Sequence, residues 1–85
     1  MNTSERHAKI ERLEFGDRIR VCLDSGDVLV IPYDYTSRLS RASKESLREY
    51  RLIGGGRGIH FPEIDEDISL EGIVRYKLMH DLMAS

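Results

Sequence analysis

The sequence has a single cysteine, Cys22, and no apolar stretch that approaches the ~20 residues needed to cross a bilayer. One thiol cannot build an internal disulfide framework and is typical of a reducing compartment, so we expect a cytoplasmic protein. The N-terminal segment has no apolar core, which predicts that no secretory signal is present. No internal repeat or low-complexity segment occurs. These absences exclude disulfide-stabilised, membrane-spanning and repeat architectures.

Length and composition predict one small globular domain over residues 1–85. A chain of 85 residues buries roughly 60–65% of the surface that its unfolded form exposes, which is enough for one modest core. The hydrophobic fraction of 40% and the charged fraction of 33% are typical of a folded chain rather than a disordered one. A net charge of −2 gives no overall attraction to nucleic acid or to an acidic membrane. We therefore expect neither as a partner.

The N-terminal half predicts a meander of three antiparallel strands. The first strand begins near Ala8, and the second, Arg18–Leu23, alternates strictly between apolar and other residues. One face of the second strand carries Ile19, Val21 and Leu23, and the other carries Arg18, Arg20 and Cys22. Asp24–Asp27 has the composition of a hairpin loop, and Val28–Ile31 follows as an apolar strand.

The second half predicts short helices and a further short strand, which makes the fold class α+β. A helical turn is expected over residues 36–41, and Ser43 is a candidate N-cap for a helix from Lys44 to Tyr50. Arg51–Ile53 returns to extended apolar character, and Ile59–Phe61 is expected to be extended as well.

A C-terminal amphipathic helix is predicted from Ser69, as its N-cap, to residue 84. The acids just before it (Asp65, Glu66, Asp67) would complement the helix dipole. Apolar residues near its end exceed what a small sheet can bury, and methionine-rich apolar surfaces are adaptable contacts. The alternatives are core packing and a contact with a partner or with a second copy of the chain. The residues concerned are Tyr76, Met79, Leu82 and Met83.

Two stretches resemble a small bacterial family, the domain of unknown function 2442 family. One is Val21–Gly26 in the meander, and the other is the glycine-rich and acidic segment Arg51–Gly72. The resemblance spans about residues 8–74; a tryptophan is common in the family where this chain has Phe61. It implies a compact α+β fold with no established catalytic activity and no catalytic residues to carry over. Family members often lie beside a gene for a small putative toxin, which implies an antitoxin-like role.

The segment Gly54–Asp67 contains the candidate chemistry. His60 with Glu63 and the following acids could hold a metal ion, although the spacing matches no known metal motif, so a structural role for His60 is favoured. The glycines with Arg57 could bind an anion, but they do not lead into a helix, so a tight turn between two strands is the favoured interpretation. A Cys22–His60 catalytic pair is weakly indicated. We expect no metal, no cofactor and no catalytic residue.

Charge is strongly segregated along the chain. Residues 38–58 carry six basic and two acidic side chains, and residues 59–72 carry five acidic side chains and no basic one. The two segments could pair with each other, or they could form a polarised surface that attracts a charged protein. No aromatic stacking platform accompanies the basic segment, so a nucleic-acid role ranks third.

The sequence therefore predicts a non-enzymatic interaction module of antitoxin-like type that binds and neutralises or regulates a small protein, with a homodimer through the C-terminal helix as a further expectation. Two alternatives stay open. One is a ligand- or metal-sensing regulatory domain that uses the Gly54–Asp67 loop, and the other is an inhibitor of a nucleoprotein complex. The residues predicted to contact the partner are Arg57, His60, Asp65, Glu66, Asp67, Met79, Leu82 and Met83.

Overall fold

The computed structural model describes the backbone of residues 8–84 and the side chains of residues 8–80. Six strands and three helices follow one another along this part of the chain. In order, they are β1 (Ile10–Phe15), β2 (Ile19–Leu23), β3 (Val28–Ile31), α1 (Ser37–Arg41), α2 (Lys44–Leu47), β4 (Arg51–Ile53), β5 (Gly58–Phe61), β6 (Glu66–Ser69) and α3 (Leu70–Ala84). The predicted α+β class is confirmed.

The first sheet is the predicted meander, with strand order β1-β2-β3 and antiparallel pairing throughout. Ile19 in the central strand lies opposite Phe15 on one side and Ile31 on the other. The hairpin between β2 and β3 is closed by the amide of Leu23, which donates to the carbonyl of Asp27 at 2.9 Å. Alternation and turn composition were therefore sufficient to predict this sheet.

Cys22 is buried, although it lies on the face of β2 that the sequence assigned to arginines. Its neighbours across the sheet are Arg12 on β1 and Val28 on β3. Long arginine side chains cover neighbouring surface with their methylene groups, which explains how a sheet face with charged residues excludes water from a small thiol. Burial gives Cys22 a packing role and removes the main argument for a reactive cysteine.

Each of the two short helices begins at a hydroxyl N-cap, and that of α2 is the predicted Ser43. The hydroxyl of Thr36 accepts the amide of Leu39 at 3.1 Å, and the hydroxyl of Ser43 accepts the amide of Ser46 at 3.1 Å. Helix α2 ends at Leu47 rather than at the predicted Tyr50. The amides of Glu49 and Tyr50 bond to carbonyls three residues back, and this tighter geometry ends the helix before β4 begins.

The second sheet, with strand order β4-β5-β6, contains one strand more than the sequence predicted. The acids that precede α3 lie in and beside β6, which is the strand that the sequence did not predict. β6 forms because buried Ile68 lies opposite buried Ile59, and this apolar pair outweighs the poor strand propensity of its acids. Asp65, at a positive φ of 52°, turns the chain between β5 and β6.

One hydrophobic core joins both sheets and α3. Phe61 is the largest fully buried side chain, and it packs in the same cluster as Ile19, Ile59 and Ile73. Truncation of a buried phenylalanine to alanine costs about 3–5 kcal/mol, so Phe61 is a major contributor to stability. The sheets are also joined through the backbone, because the amide of Ile10 donates to the carbonyl of Gly56 at 2.8 Å.

Candidate functional site

The glycine-rich segment is a tight hairpin turn between β4 and β5, as the sequence predicted. Gly54, Gly55 and Gly56 have φ values of 61°, 65° and 95°, in the region that side chains disfavour. A Cβ atom at Gly56 would lie 2.9 Å from the Cβ of Lys9 and 3.0 Å from the carbonyl oxygen of Ile10. The turn therefore needs a glycine at residue 56 both for its backbone angle and for its close approach to β1.

The backbone of this turn is committed to internal hydrogen bonds. The amides of Gly56 and Arg57 both donate to the carbonyl of Ile53, at 3.2 and 3.1 Å. A phosphate cradle needs several amides that point together at the ligand. With two of its amides turned inward, the segment is better suited to joining the two sheets than to holding an anion.

Arg57, one of the predicted contact residues, ties the N-terminal strand to α3. Its guanidinium donates to the carbonyl of Ala8 at 2.9 Å, and its own carbonyl accepts the amide of Leu70 at 2.8 Å. The residue is nevertheless exposed. Arg57 therefore connects the N-terminal strand to α3, and it also presents positive charge beside the first turn of α3.

His60 and Asp67 form a pair on the outer face of the second sheet. They lie directly opposite each other on β5 and β6, and Nδ1 of His60 contacts Oδ1 of Asp67. The carboxylate fixes the orientation of the imidazole ring, so its Nε2 is left for another contact. Among the side chains of residues 8–80, no group of three or more His, Cys, Asp or Glu residues has the geometry to hold a metal ion.

The three consecutive acids do not form one cluster. Asp65 lies in the β5–β6 turn with an exposed side chain, and Arg38 donates to its carbonyl oxygen at 2.7 Å. Glu66 and Asp67 follow each other on β6, so they point to opposite faces of the sheet. Glu66 is half-buried, whereas Asp67 is exposed. Asp65 and Asp67 are therefore the acids that a partner could meet.

The predicted pairing between the basic and acidic segments rests on few contacts. Within the described part of the chain, the one salt bridge between them joins Arg38 to Asp65, with a nitrogen–oxygen distance of 4.0 Å. Lys44 donates instead to the carbonyl of Gly16 at 3.2 Å and lies 5.1 Å from the centre of the Tyr33 ring. Most of the charge in both segments therefore faces solvent.

Helix α3 buries one side and leaves a second apolar side exposed. Leu70 and Ile73 belong to the core. Val74 and Leu78 lie four residues apart on one face and are 40% and 59% exposed. They line a groove of about 380 Å³, here called the α3 groove, together with Ala8, Leu23, Arg57, Leu70, Glu71 and Arg75.

Met79 lies on the other side of α3 and is 54% exposed. It lines a second groove, of about 580 Å³, beside β6 and Asp67. The ring of Tyr76 anchors this side of the helix, because it meets Tyr35 edge-on at 4.9 Å and lies 3.9 Å from the His80 ring. Burial raises the pKa of Tyr35 above its ordinary value, and the nearby Tyr76 adds to the increase.

The structure brings several predicted contact residues together around β6 and α3. Asp67 contacts His60, and it shares the second groove with Met79. The predicted residues Leu82 and Met83 have side chains outside the described residues. Val74 and Leu78 were missed, because helical spacing alone does not tell which apolar positions face the core. Val74 and Leu78 follow Leu70 at four-residue intervals, so spacing alone groups them with a buried residue.

A family model matches residues 10–78 of the chain, and its description is a protein of unknown function, DUF2442. The chain belongs to this family. The predicted resemblance is thereby confirmed over nearly the span that the sequence indicated. Neither the family nor the solved structures described next have an assigned function, so they supply no evidence for or against catalysis.

Two solved structures share the fold. A protein of unknown function from Rhodospirillum rubrum is 25% identical, with a TM-score of 0.73, and the match covers 81% of this chain and 87% of that one. An uncharacterised Chromobacterium violaceum protein, CV0863, is 22% identical with a TM-score of 0.74, and the match covers 86% of this chain and 70% of that one. No curated protein matches the chain. Within residues 8–84, no helix has the length and apolar character that crossing a membrane would require.

Proposed function

We propose that this DUF2442 chain is a non-enzymatic interaction module that binds a small basic protein through the exposed apolar side of α3. The observation that carries the proposal is the exposure of Val74 and Leu78 beside the buried side of α3, which carries Leu70 and Ile73. A single exposed apolar side chain is common on a protein surface and needs no partner. Two on one face of a helix form a larger apolar patch that a partner can cover. Burying such a side chain fully gains about 1.5–3 kcal/mol, so two provide a useful anchor.

The exposed acids on and beside β6 support a basic partner, whereas the α3 groove itself is lined by Arg57, Arg75 and Glu71. Asp65 and Asp67 are exposed, and the acidic segment around them contains no lysine or arginine. Such a concentration of one charge accelerates the approach of an oppositely charged protein more than it strengthens the final complex. In this proposal the acids set the rate of association, and the α3 groove sets the lifetime of the complex.

An antitoxin-like role fits this arrangement, because neutralising a small protein requires a binding surface and no catalytic group. The role implies that the partner is encoded nearby and loses its activity in the complex. The structure gives the ligand-sensing alternative less support, since the Gly54–Gly58 turn directs two of its amides, those of Gly56 and Arg57, inward. Inhibition of a nucleoprotein complex and a cytoplasmic location stay predictions.

To test whether the α3 groove holds the partner, we compare substitutions at two residues of equal exposure. Val74 in the α3 groove and Ile53 on the second sheet are each 40% exposed. Val74→Ser and Ile53→Ser remove similar apolar area, so their effects on stability should be similar. We expect Val74→Ser to accelerate dissociation of the partner and Ile53→Ser to leave it unchanged. Equal dissociation rates for both variants would contradict the proposal.

To test whether the exposed acids accelerate association with the partner, we replace two of them together. The double variant Asp65→Asn/Asp67→Asn should slow association and reduce its dependence on salt. The control is Glu45→Gln/Glu49→Gln, which removes the same charge from exposed positions in and beside α2. An unchanged association rate at low salt for the first variant would rule out steering by these acids.

A further inference from the structure

β3 is an edge strand of the first sheet and has no charged residue. The other edge strands of the two described sheets each contain charge: β1 contains two glutamates and an arginine, β4 contains an arginine, and β6 contains two acids. Natural proteins place charge on edge strands because an open apolar edge pairs readily with another strand. The absence of charge from β3 therefore indicates an edge that is meant to be covered.

The hydrogen-bonding direction shows which groups the edge presents. Leu23 and Asp27 form a hydrogen-bonded pair, since the amide of Leu23 donates to the carbonyl of Asp27. Such pairs alternate along an antiparallel ladder, so Leu29 bonds toward β2. The amides and carbonyls of Val28 and Val30 then point away from the sheet. No group in the described part of the chain bonds to them.

The opposite edge of the same sheet is closed in several ways. β1 has an irregular register between Ile10 and Arg12, which is typical of a bulge. The outward amide of Leu13 donates to the hydroxyl of Tyr50 at 3.0 Å. Arg12 and Glu14 form an exposed ion pair at 2.9 Å. One sheet thus has a protected edge and an unprotected one.

We propose that β3 pairs antiparallel with β3 of a second copy of this chain, about a two-fold axis at Leu29. In this register Val28 bonds to Val30 of the second copy, and the same bonds recur by symmetry. A second copy is favoured over a foreign strand because the edge is self-complementary. Apolar residues meet apolar residues, no like charges oppose each other, and both open edges are satisfied together. The β1-β2-β3 sheets of the two copies then form one continuous sheet of six strands.

The first experiment measures mass in solution by light scattering and sedimentation over a wide range of concentration. The expected species has a mass close to twice the 9.8 kDa of the chain. Val28→Pro removes an outward amide at the first residue of an edge strand, where proline is tolerated in the monomer. It should raise the dimer dissociation constant about tenfold or more, through two lost hydrogen bonds. Val28→Thr keeps the amide and should remain dimeric, and thermal unfolding of each variant shows whether it folds.

The second experiment tests the register by disulfide formation in a Cys22→Ala background. Leu29→Cys places two thiols across the two-fold axis at a non-hydrogen-bonded pair, about 4.5 Å apart between Cα atoms, which suits a disulfide. Val28→Cys is the matched control, because its opposite residue is Val30 and not another cysteine. Rapid oxidation to a dimer with Leu29→Cys alone supports the proposal. A monomer at every concentration, a dimer that resists Val28→Pro, or a dimer that Leu78→Arg abolishes would each overturn it.

Discussion

Replacement of buried Gly56 by alanine should be among the most damaging single changes in a turn of this protein. Residue 56 has a φ of 95°, which costs a non-glycine residue about 1–3 kcal/mol. The new Cβ would also lie 2.9 Å from the Cβ of Lys9 and 3.0 Å from the carbonyl of Ile10, and overpacking of this kind costs about 1–3 kcal/mol. We therefore expect Gly56→Ala to lower the free energy of unfolding by about 2–6 kcal/mol.

The matched control is Gly55→Ala, one residue earlier in the same turn. Its φ of 65° is also positive, but a Cβ there meets no heavy atom within 4 Å. Only the conformational cost applies, about 1–2 kcal/mol. Urea denaturation of both variants, followed by circular dichroism, measures the difference. Equal losses of stability for the two alanines would refute the close approach of the turn to β1.

Two further predictions concern tyrosines. Tyr50→Phe should lower the free energy of unfolding by about 1–3 kcal/mol, because the amide of Leu13 loses its acceptor; a loss below 0.5 kcal/mol would show that water replaces the hydroxyl. The raised pKa of Tyr35 means that its neutral form is favoured in the folded state. Its contribution to the free energy of unfolding is therefore complete below the unfolded-state pKa of about 10 and is lost as the pH rises above that value. Tyr35→Phe should therefore make urea-determined stability fall less steeply above that pH, and an unchanged slope would contradict the burial of its hydroxyl.

The parts of the fold that sequence predicted are those with local signals. Strict alternation defines β2, and the hydroxyl of Ser43 begins α2. β6 was missed because its signal is not local. A strand of sequence EDIS is formed only because Ile68 finds Ile59 across the sheet. The docking of Gly56 against Ile10 likewise joins residues far apart in sequence.

In the candidate site, too, the sequence predicted the local features and missed those that depend on contacts between distant residues. The acids and His60 were recognisable by composition, but the pairing of His60 with Asp67 depends on the register between β5 and β6. The alternation of side chains along β6 turns Glu66 to the other face from Asp67. The exposure of Val74 and Leu78 depends on which side of α3 meets the sheets. Composition thus identifies candidate groups, and tertiary packing decides which of them a partner can reach.

The most direct test of the proposed function is affinity capture from the native host with wild-type protein, Val74→Ser and Ile53→Ser in parallel. Captured proteins would be identified by mass spectrometry, and light scattering would give the mass of the complex. We predict one stoichiometric small basic protein, encoded nearby, that the wild type and Ile53→Ser retain and Val74→Ser loses. Retention of the same protein by all three would contradict the role of α3, and capture of no stoichiometric partner would contradict the interaction module itself.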